Sequence, residues 1–428
     1  MHIGIIGAGA AGLTAAYELT KSGHAVTLYE AAEWPGGLAS GFKAPGWDWH
    51  LERFYHHWFT SDQEVVGLIR ELGLEDQLFW PRPITSVWHQ GGIYPFDSPL
   101  AVLRFPGLPL PDKLRMGLVT LYLRLTRNWQ PLERVTAHEW LPRWMGHRAY
   151  QVVWEPFFIG KFGEHYREVN MAWFWARIYK RSPRLGYFVG GFQAFFDALA
   201  ERVRGQGGTI HLGTPVQAIV PDPEGGLRVR TAQGEARFDA VIATVPPHLM
   251  ARLAPDLPAD YLSRLGALRS LGALTLILAL DRPLTNGFYW INLPAGEFPF
   301  LALVEHTHYI PPEHYGNDHL IYLGHYLPPD HRYFEMTKEE LLAEFLPPLR
   351  RFNPEFDPGW VRDSWLFREE YAQPVMPLNY SQMIPSIRTP IPGLYFASMS
   401  QVYPWDRGTN YAVELGRKVA RLVVEEKG

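Results

Sequence analysis

The sequence predicts an α/β protein organised around a parallel, dinucleotide-binding sheet, and its first thirty residues carry most of that expectation. Residues 2–6 (His-Ile-Gly-Ile-Ile) form a short apolar strand pattern. Gly7, Gly9 and Gly12 follow as G-x-G-x-x-G, ahead of a run with small and apolar residues at helical spacing. Ala25-Val-Thr-Leu-Tyr is a second strand pattern, closed by Glu30. Strand, glycine turn, helix, strand and acid in that order are the dinucleotide fingerprint. Gly7 permits the tight turn, Gly9 lets backbone approach a pyrophosphate, and Gly12 lets the helix pack on the strand. Ala10 and Ala11 lie at the helix N-terminus, whose N–H groups face the phosphate charge. Glu30 suits an unphosphorylated ribose, which favours FAD or NAD over NADP.

Composition bounds the rest. A chain of 428 residues suggests two or three domains, or one interwoven unit. Hydrophobic residues at 47% and charged residues at 20% exclude wholesale disorder. A net charge of −4 leaves no basic footprint, so no nucleic-acid partner is expected. The absence of cysteine removes disulfides, thiolate metal sites, a cysteine nucleophile and a cysteine-linked cofactor together. The 16 Trp, 21 Tyr and 24 Phe fit either a large aromatic core or a grip on a flat or greasy ligand. No run of 18 apolar residues appears, and the chain opens directly on a strand pattern, so neither a membrane span nor a signal peptide is expected. Cytoplasmic placement is the simplest expectation.

Glu30 leads into Ala-Ala-Glu-Trp-Pro-Gly36-Gly37-Leu38. This segment resembles the amine oxidase, protoporphyrinogen oxidase and phytoene desaturase superfamily of FAD enzymes, within the glutathione-reductase-like class. The resemblance implies FAD, with Gly36, Gly37 and Leu38 along the pyrophosphate and toward the flavin. Residues 190–219 are similar to that superfamily's second FAD segment, in which the residue matching Val216 holds the adenine through its backbone. Gly393-Leu-Tyr-Phe-Ala and the helix pattern from Gly408 resemble the third, whose helix aims its N-terminus at the flavin. Gly408, Asn410 and Tyr411 are then the nearest groups. One position departs: Ser398-Met399 stands where the family usually carries Gly followed by an acid.

These returns imply a Rossmann-type FAD domain assembled from residues 1–80, 186–248 and 389–428. It is interwoven with an α+β substrate domain, helical over 81–185 and sheet-containing over 249–388. No second G-x-G-x-x-G follows a strand, so no NAD(P)H domain is expected, and oxygen, a quinone or another acceptor stays open.

Substrate chemistry has several candidates. His56 and His57, in the run from Gly46 to Asp62, lie where this class crosses beside the flavin. The run, with Trp154-to-Gly163 and Gly92-to-Phe96, more weakly resembles UDP-galactopyranose mutase. An imidazole there could hydrogen-bond the flavin or move a substrate proton at its ordinary pKa, and His57 is taken as both cofactor-binding and catalytic. Arg177, Lys180, Arg181 and Arg184 could clamp a carboxylate or pyrophosphate, although a solvated charge cluster is the plainer expectation. Tyr403, in Tyr-Pro-Trp-Asp-Arg just before Gly408, falls in the loop expected to face the flavin, and is taken with Arg177 and His57 as catalytic. The six histidines between 305 and 331 lack a nearby acid pair, so no metal site is expected. Residues 100–125 are Leu-rich with interspersed Arg; a core helix is favoured over peripheral membrane contact or a tunnel mouth. No lysine occurs between Lys180 and Lys338, which counts against amine oxidation as the family performs it.

The expected function is an FAD-dependent oxidoreductase taking hydride from a large, mostly apolar small-molecule substrate, with Arg177 a candidate for an acidic end. The alternatives are a mutase-like, non-redox use of reduced flavin on a nucleotide sugar, and a flavin-binding partner protein without catalysis.

Overall fold

The computed structural model describes residues 1–427, with side chains through Glu426. Five parallel strands form the sheet expected to bind the dinucleotide, in the order Thr209–His211, Ala25–Tyr29, His2–Ile6, Ala240–Ala243 and Leu394–Phe396. The strands come from three distant parts of the chain. The two central ones are apolar almost throughout, as a sheet covered on both faces requires. Helices Ala10–Lys21, Phe192–Gly205 and Thr409–Lys427 pack on it. The last leans closely on the first: a Cβ at Gly416 would lie 2.4 Å from the Ala11 carbonyl oxygen.

A second, seven-stranded sheet has the order Val361–Pro374, Ser270–Leu280, His319–Leu327, Ala302–Glu305, Phe288–Asn292, Ile84–His89 and Gly92–Pro95. Ser270–Leu280 is buried at ten of its eleven positions, which explains its Leu/Ile/Ala-rich sequence, broken only by Gly272 and Thr275 after Ser270. The last two strands qualify the expectation of a largely helical block over 81–185, because that block begins with a hairpin on this sheet. Its remainder is helical, with Leu110–Leu125, Ala137–Met145, Glu155–Phe162 and Met171–Lys180 built around Phe158, Phe162, Trp173 and Trp175. Residues 216–238 form a three-stranded antiparallel meander before the chain re-enters the nucleotide sheet at Ala240.

The Leu-rich segment departs from the core-helix expectation. Met116 and Leu123 are buried, but Leu110, Leu114, Leu118, Leu121, Tyr122 and Leu125 are exposed, Leu118 at 69% and Leu125 at 71%. The helix carries apolar residues on more of its circumference than its neighbours cover, so spacing alone could not say which side is buried.

Candidate active site

The glycine fingerprint adopts the geometry its spacing predicts. Gly7 has φ +100°, and a Cβ there would sit 2.7 Å from the Thr244 hydroxyl. A Cβ on Gly12 would lie 1.9 Å from the Gly7 carbonyl oxygen, so only glycine brings helix and turn this close. Gly9 differs. A Cβ there would meet no atom nearer than the Gly37 Cα at 4.0 Å, leaving an open cradle above the turn. No side chain caps helix Ala10–Lys21, so the N–H groups at Ala10 and Ala11 remain available to an anion. Gly9 and Gly36 form a bridge, and the Gly36 N–H donates to the Ala8 carbonyl at 2.8 Å, which brings the Gly36-Gly37-Leu38 turn to the same cradle.

Glu30 stands at the end of the second strand. Its carboxylate accepts the Ala8 N–H at 2.6 Å and the Ala32 N–H at 2.9 Å. Each oxygen keeps lone-pair capacity for a ribose hydroxyl. The Thr214 N–H donates to the Glu30 carbonyl at 2.7 Å, which sets the strand beginning at Val216 beside this edge. Cradle, uncapped helix end and carboxylate together fit a flavin dinucleotide.

Leu38 leads from the cradle into a cavity that opens to solvent. Phe54, Tyr55, Phe157, Leu274, Trp290 and Leu301 supply apolar wall. Gly408, Thr409, Asn410 and Tyr411 bring the start of the C-terminal helix to it. The Asn410 side chain is committed elsewhere: its oxygen accepts the N–H groups of Glu64 and Val65 at 2.9 and 3.1 Å, capping helix Gln63–Glu71. Tyr411 stacks on Trp405 at 5.7 Å, 7° from parallel. Ser398, at the position that departs from the family pattern, is buried and caps the turn Met399–Gln401.

His56 and His57 both line the cavity. Burial pushes the His57 imidazole down to about 3, helped by Arg181, His56 and Arg177, and the His56 imidazole down to about 4. Both are therefore neutral at neutral pH. This corrects the expectation of a histidine titrating near its ordinary value: His57 can offer a hydrogen bond but is poorly matched to shuttle a proton near pH 7. Its Nδ1 has no hydrogen-bond partner among the described residues.

Arg177 is not a solvated surface charge. It lines the cavity and pairs with Asp406, whose other oxygen accepts Trp173 Nε1–H at 3.0 Å. Burial would raise the Asp406 carboxyl, but Lys161, Arg177 and Arg407 override it and hold the group at about 2. The helix ends at Lys180, before Ser182-Pro183, and Lys180 and Arg181 also reach the cavity while Arg184 does not. Tyr403 is a correction: it is not among the cavity-lining residues, and its hydroxyl bonds Glu133 and Asn170 at 3.1 Å each. The helical block supplies polar partners that draw this ring away from the loop's other face.

Sequence reasoning gave no role to Asp62, Lys161, His325, Tyr326, Asp406 or Arg407, all at the cavity. Asp406 and Arg407 had a signal, since they immediately precede the helix expected to face the flavin. The histidine-rich run scatters: His306 bonds the Tyr315 hydroxyl at 2.8 Å, His308 lies 2.9 Å from the Thr285 carbonyl oxygen, and only His325 of the six reaches the cavity.

The family model described as flavin containing amine oxidoreductase matches residues 10–424. Carotenoid phi-ring synthase of Streptomyces griseus is 26% identical over 66% of this chain and 60% of its own length. The 15-cis-phytoene desaturase of Synechococcus elongatus is 23% identical over 67% of each. The chain thus spans about three-fifths of the first of these curated relatives. Among solved structures, an Exiguobacterium sp. 255-15 protein assigned as a candidate protoporphyrinogen oxidase superposes with TM-score 0.80 at 18% identity, covering 100% of this chain and 99% of that one. Reduced UDP-galactopyranose mutase gives 0.78 at 16% identity, over 99% and 96%. At these identities the likeness is one of fold.

Proposed function

Because the chain belongs to the flavin containing amine oxidoreductase family, and is an oxidoreductase with a flavin cofactor, we propose that the flavin is FAD and that the cavity holds a large, partly apolar substrate that would be oxidised at a C–H bond. The observation that carries this reading is the continuous path from the Gly9 cradle, past Leu38, to a cavity that also receives the start of helix Thr409–Lys427. When bound, FAD supplies a two-electron acceptor. The protein's part is to bind and orient. The N–H groups at Ala10 and Ala11 and the Glu30 carboxylate hold the dinucleotide, and the N-terminus of helix Thr409–Lys427 favours negative charge developing near it. Phe54, Tyr55, Phe157 and Trp290 hold the apolar body of the substrate and exclude water. His57 offers a neutral hydrogen-bonding group beside it.

The exposed face of helix Leu110–Leu125 docks on an anionic lipid surface. Its support is the row of uncovered leucines with Arg104, Arg115 and Arg124 exposed around it. Arg124 Nη2 donates to the Arg181 carbonyl at 3.3 Å, so the helix ends beside a cavity-lining residue. No helix of the described residues is long and apolar enough to cross a membrane.

The test is to release and identify the cofactor of the purified protein, then follow its bleaching under anaerobic conditions with graded candidate substrates. FAD that a substrate reduces, and an added acceptor reoxidises, supports the reading. A colourless protein that will not take up FAD overturns it. So does turnover that occurs only after chemical reduction and leaves the substrate's oxidation state unchanged.

A further inference from the structure

The cavity's charge is out of balance. Lys161, Arg177, Lys180, Arg181 and Arg407 line it, against the carboxylates of Asp62 and Asp406 alone. They converge from four parts of the chain: helix Glu155–Phe162, helix Met171–Lys180 with the residue after it, helix Gln63–Glu71 at its cap, and the loop before Gly408. Of the five cations only Arg177 has a carboxylate partner among the described residues. Arg407 is held by the Gln373 side-chain oxygen at 3.0 Å and by the Tyr326 hydroxyl, both neutral groups.

Lys161 is the sharpest case. It is 8% exposed, and its ammonium makes no hydrogen bond or ion pair with a protein group among the described residues. It lies 4.9 Å from the centre of the Tyr326 ring and 5.7 Å from that of Trp173. Burial, with Arg177, Arg407 and Arg181 nearby, pushes its pKa well below the ordinary lysine value, and Asp406 opposes that only in part. A buried cation without a partner is costly, and the cost is relieved when a ligand brings the missing charge.

We propose that this cavity binds a substrate through a multiply charged anionic end seated between Lys161, Arg177 and Arg407, with Lys180 and Arg181 toward the solvent side. This deepens the reading of the cavity as the substrate site and rests on it. A cationic amine would meet like charges there. A pure hydrocarbon would bury Lys161 beneath itself and leave it uncompensated. An oxyanion such as a phosphate or diphosphate, or a pair of carboxylates, matches the planar guanidinium donors of Arg177 and Arg407 and the point charge of Lys161. The aromatic wall then takes the remainder of the same molecule.

The test is calorimetric titration of the FAD-loaded protein with inorganic diphosphate, glutarate and putrescine, repeated with Lys161→Met and Arg407→Met. Diphosphate or glutarate binding, weakened at least about tenfold in each variant and by added NaCl, is expected. Preference for diphosphate assigns a phosphate end; preference for glutarate assigns a carboxylate end. Putrescine binding as tightly as either anion overturns the proposal, as does anion affinity unchanged in both variants. Lys161→Met keeps length and apolar bulk, and a cooperative thermal unfolding transition is the check that it folds. Should the protein fail to take up FAD, titration of the apoprotein with glutarate, wild type against Lys161→Met and Arg407→Met, still tests the anion site, since diphosphate could then also enter the empty Gly9 cradle; the two failures are distinguishable.

Discussion

Arg177 and Asp406, 229 residues apart in sequence, form an ion pair at the cavity wall, and Trp173 Nε1–H donates to the second Asp406 oxygen. The pair joins the helical block to the loop that presents the C-terminal helix. Its side chains are only about one-fifth exposed, so screening is limited and a lone partner would be left partly desolvated. Asp406→Asn and Arg177→Met should each destabilise the fold by about 2 kcal/mol, and the double variant by less than their sum, with a coupling of about 1 kcal/mol or more. Urea unfolding of the four proteins measures this; strict additivity would mean that the pair does not tie the two segments together.

The glycines of the nucleotide turn should fail differently. Gly12→Ala places a methyl 1.9 Å from a backbone oxygen, so turn or helix must move, and the protein should lose stability as well as flavin. Gly9→Ala meets nothing of the protein closer than 4.0 Å. It should keep the thermal stability of the wild-type apoprotein, yet lose FAD by at least about tenfold in affinity, because the methyl enters the space the pyrophosphate needs. Apoprotein melting and flavin fluorescence on titration separate the two effects.

Those glycines also mark what was legible in the sequence. Gly7, Gly9, Gly12, Gly36 and Gly37 act through backbone geometry, which local order in the chain determines. The interwoven fold followed from the resemblance of three separated segments to the FAD-binding pieces of one superfamily. The cavity was much less legible. Lys161 and Arg407 meet only because a helix near residue 160 and a loop near 406 approach in space, and no local period encodes that meeting. Arg177 looked like a surface charge because its partner lies in another segment. The misjudged Leu110–Leu125 helix has a related cause: apolar spacing identifies a greasy helix but not whether its neighbours cover it.

A buried network beside the nucleotide domain should govern pH stability. The Glu52 carboxylate is 1% exposed and accepts the Phe192 N–H and the Tyr187 hydroxyl, each at 2.8 Å. Burial pushes its pKa up to about 7, despite these hydrogen bonds. The folded state therefore holds a proton that the unfolded chain releases above about 4.5. Its contribution falls as pH rises from about 4.5 to 7 and is constant above that, a total on the order of 3 kcal/mol. Glu52→Gln keeps an acceptor and never ionises. Its stability relative to wild type should rise between pH 5 and pH 8, measured by denaturant unfolding at each pH. A difference that does not change over that range would place the carboxylate's pKa near its ordinary value.

The uncovered face of helix Leu110–Leu125 gives the most direct cellular expectation. Leu110, Leu114, Leu118, Leu121 and Leu125 lie at spacings of three and four along one side. Each leucine side chain moved from water into an apolar layer contributes about 1.5–3 kcal/mol when fully buried, so the row can hold a protein at a bilayer surface without a spanning helix. Nearby Arg104, Arg115 and Arg124 add attraction to anionic headgroups. The protein should therefore float with vesicles containing phosphatidylserine and bind phosphatidylcholine vesicles less. Leu114→Asp combined with Leu118→Asp should abolish flotation while leaving flavin content and melting temperature near wild type, because neither leucine packs in the core. Raising the salt should weaken binding without removing it, since the apolar part is not screened. Equal flotation of wild type and double variant would mean that this face does not dock on lipid, and that its leucines meet something other than a membrane.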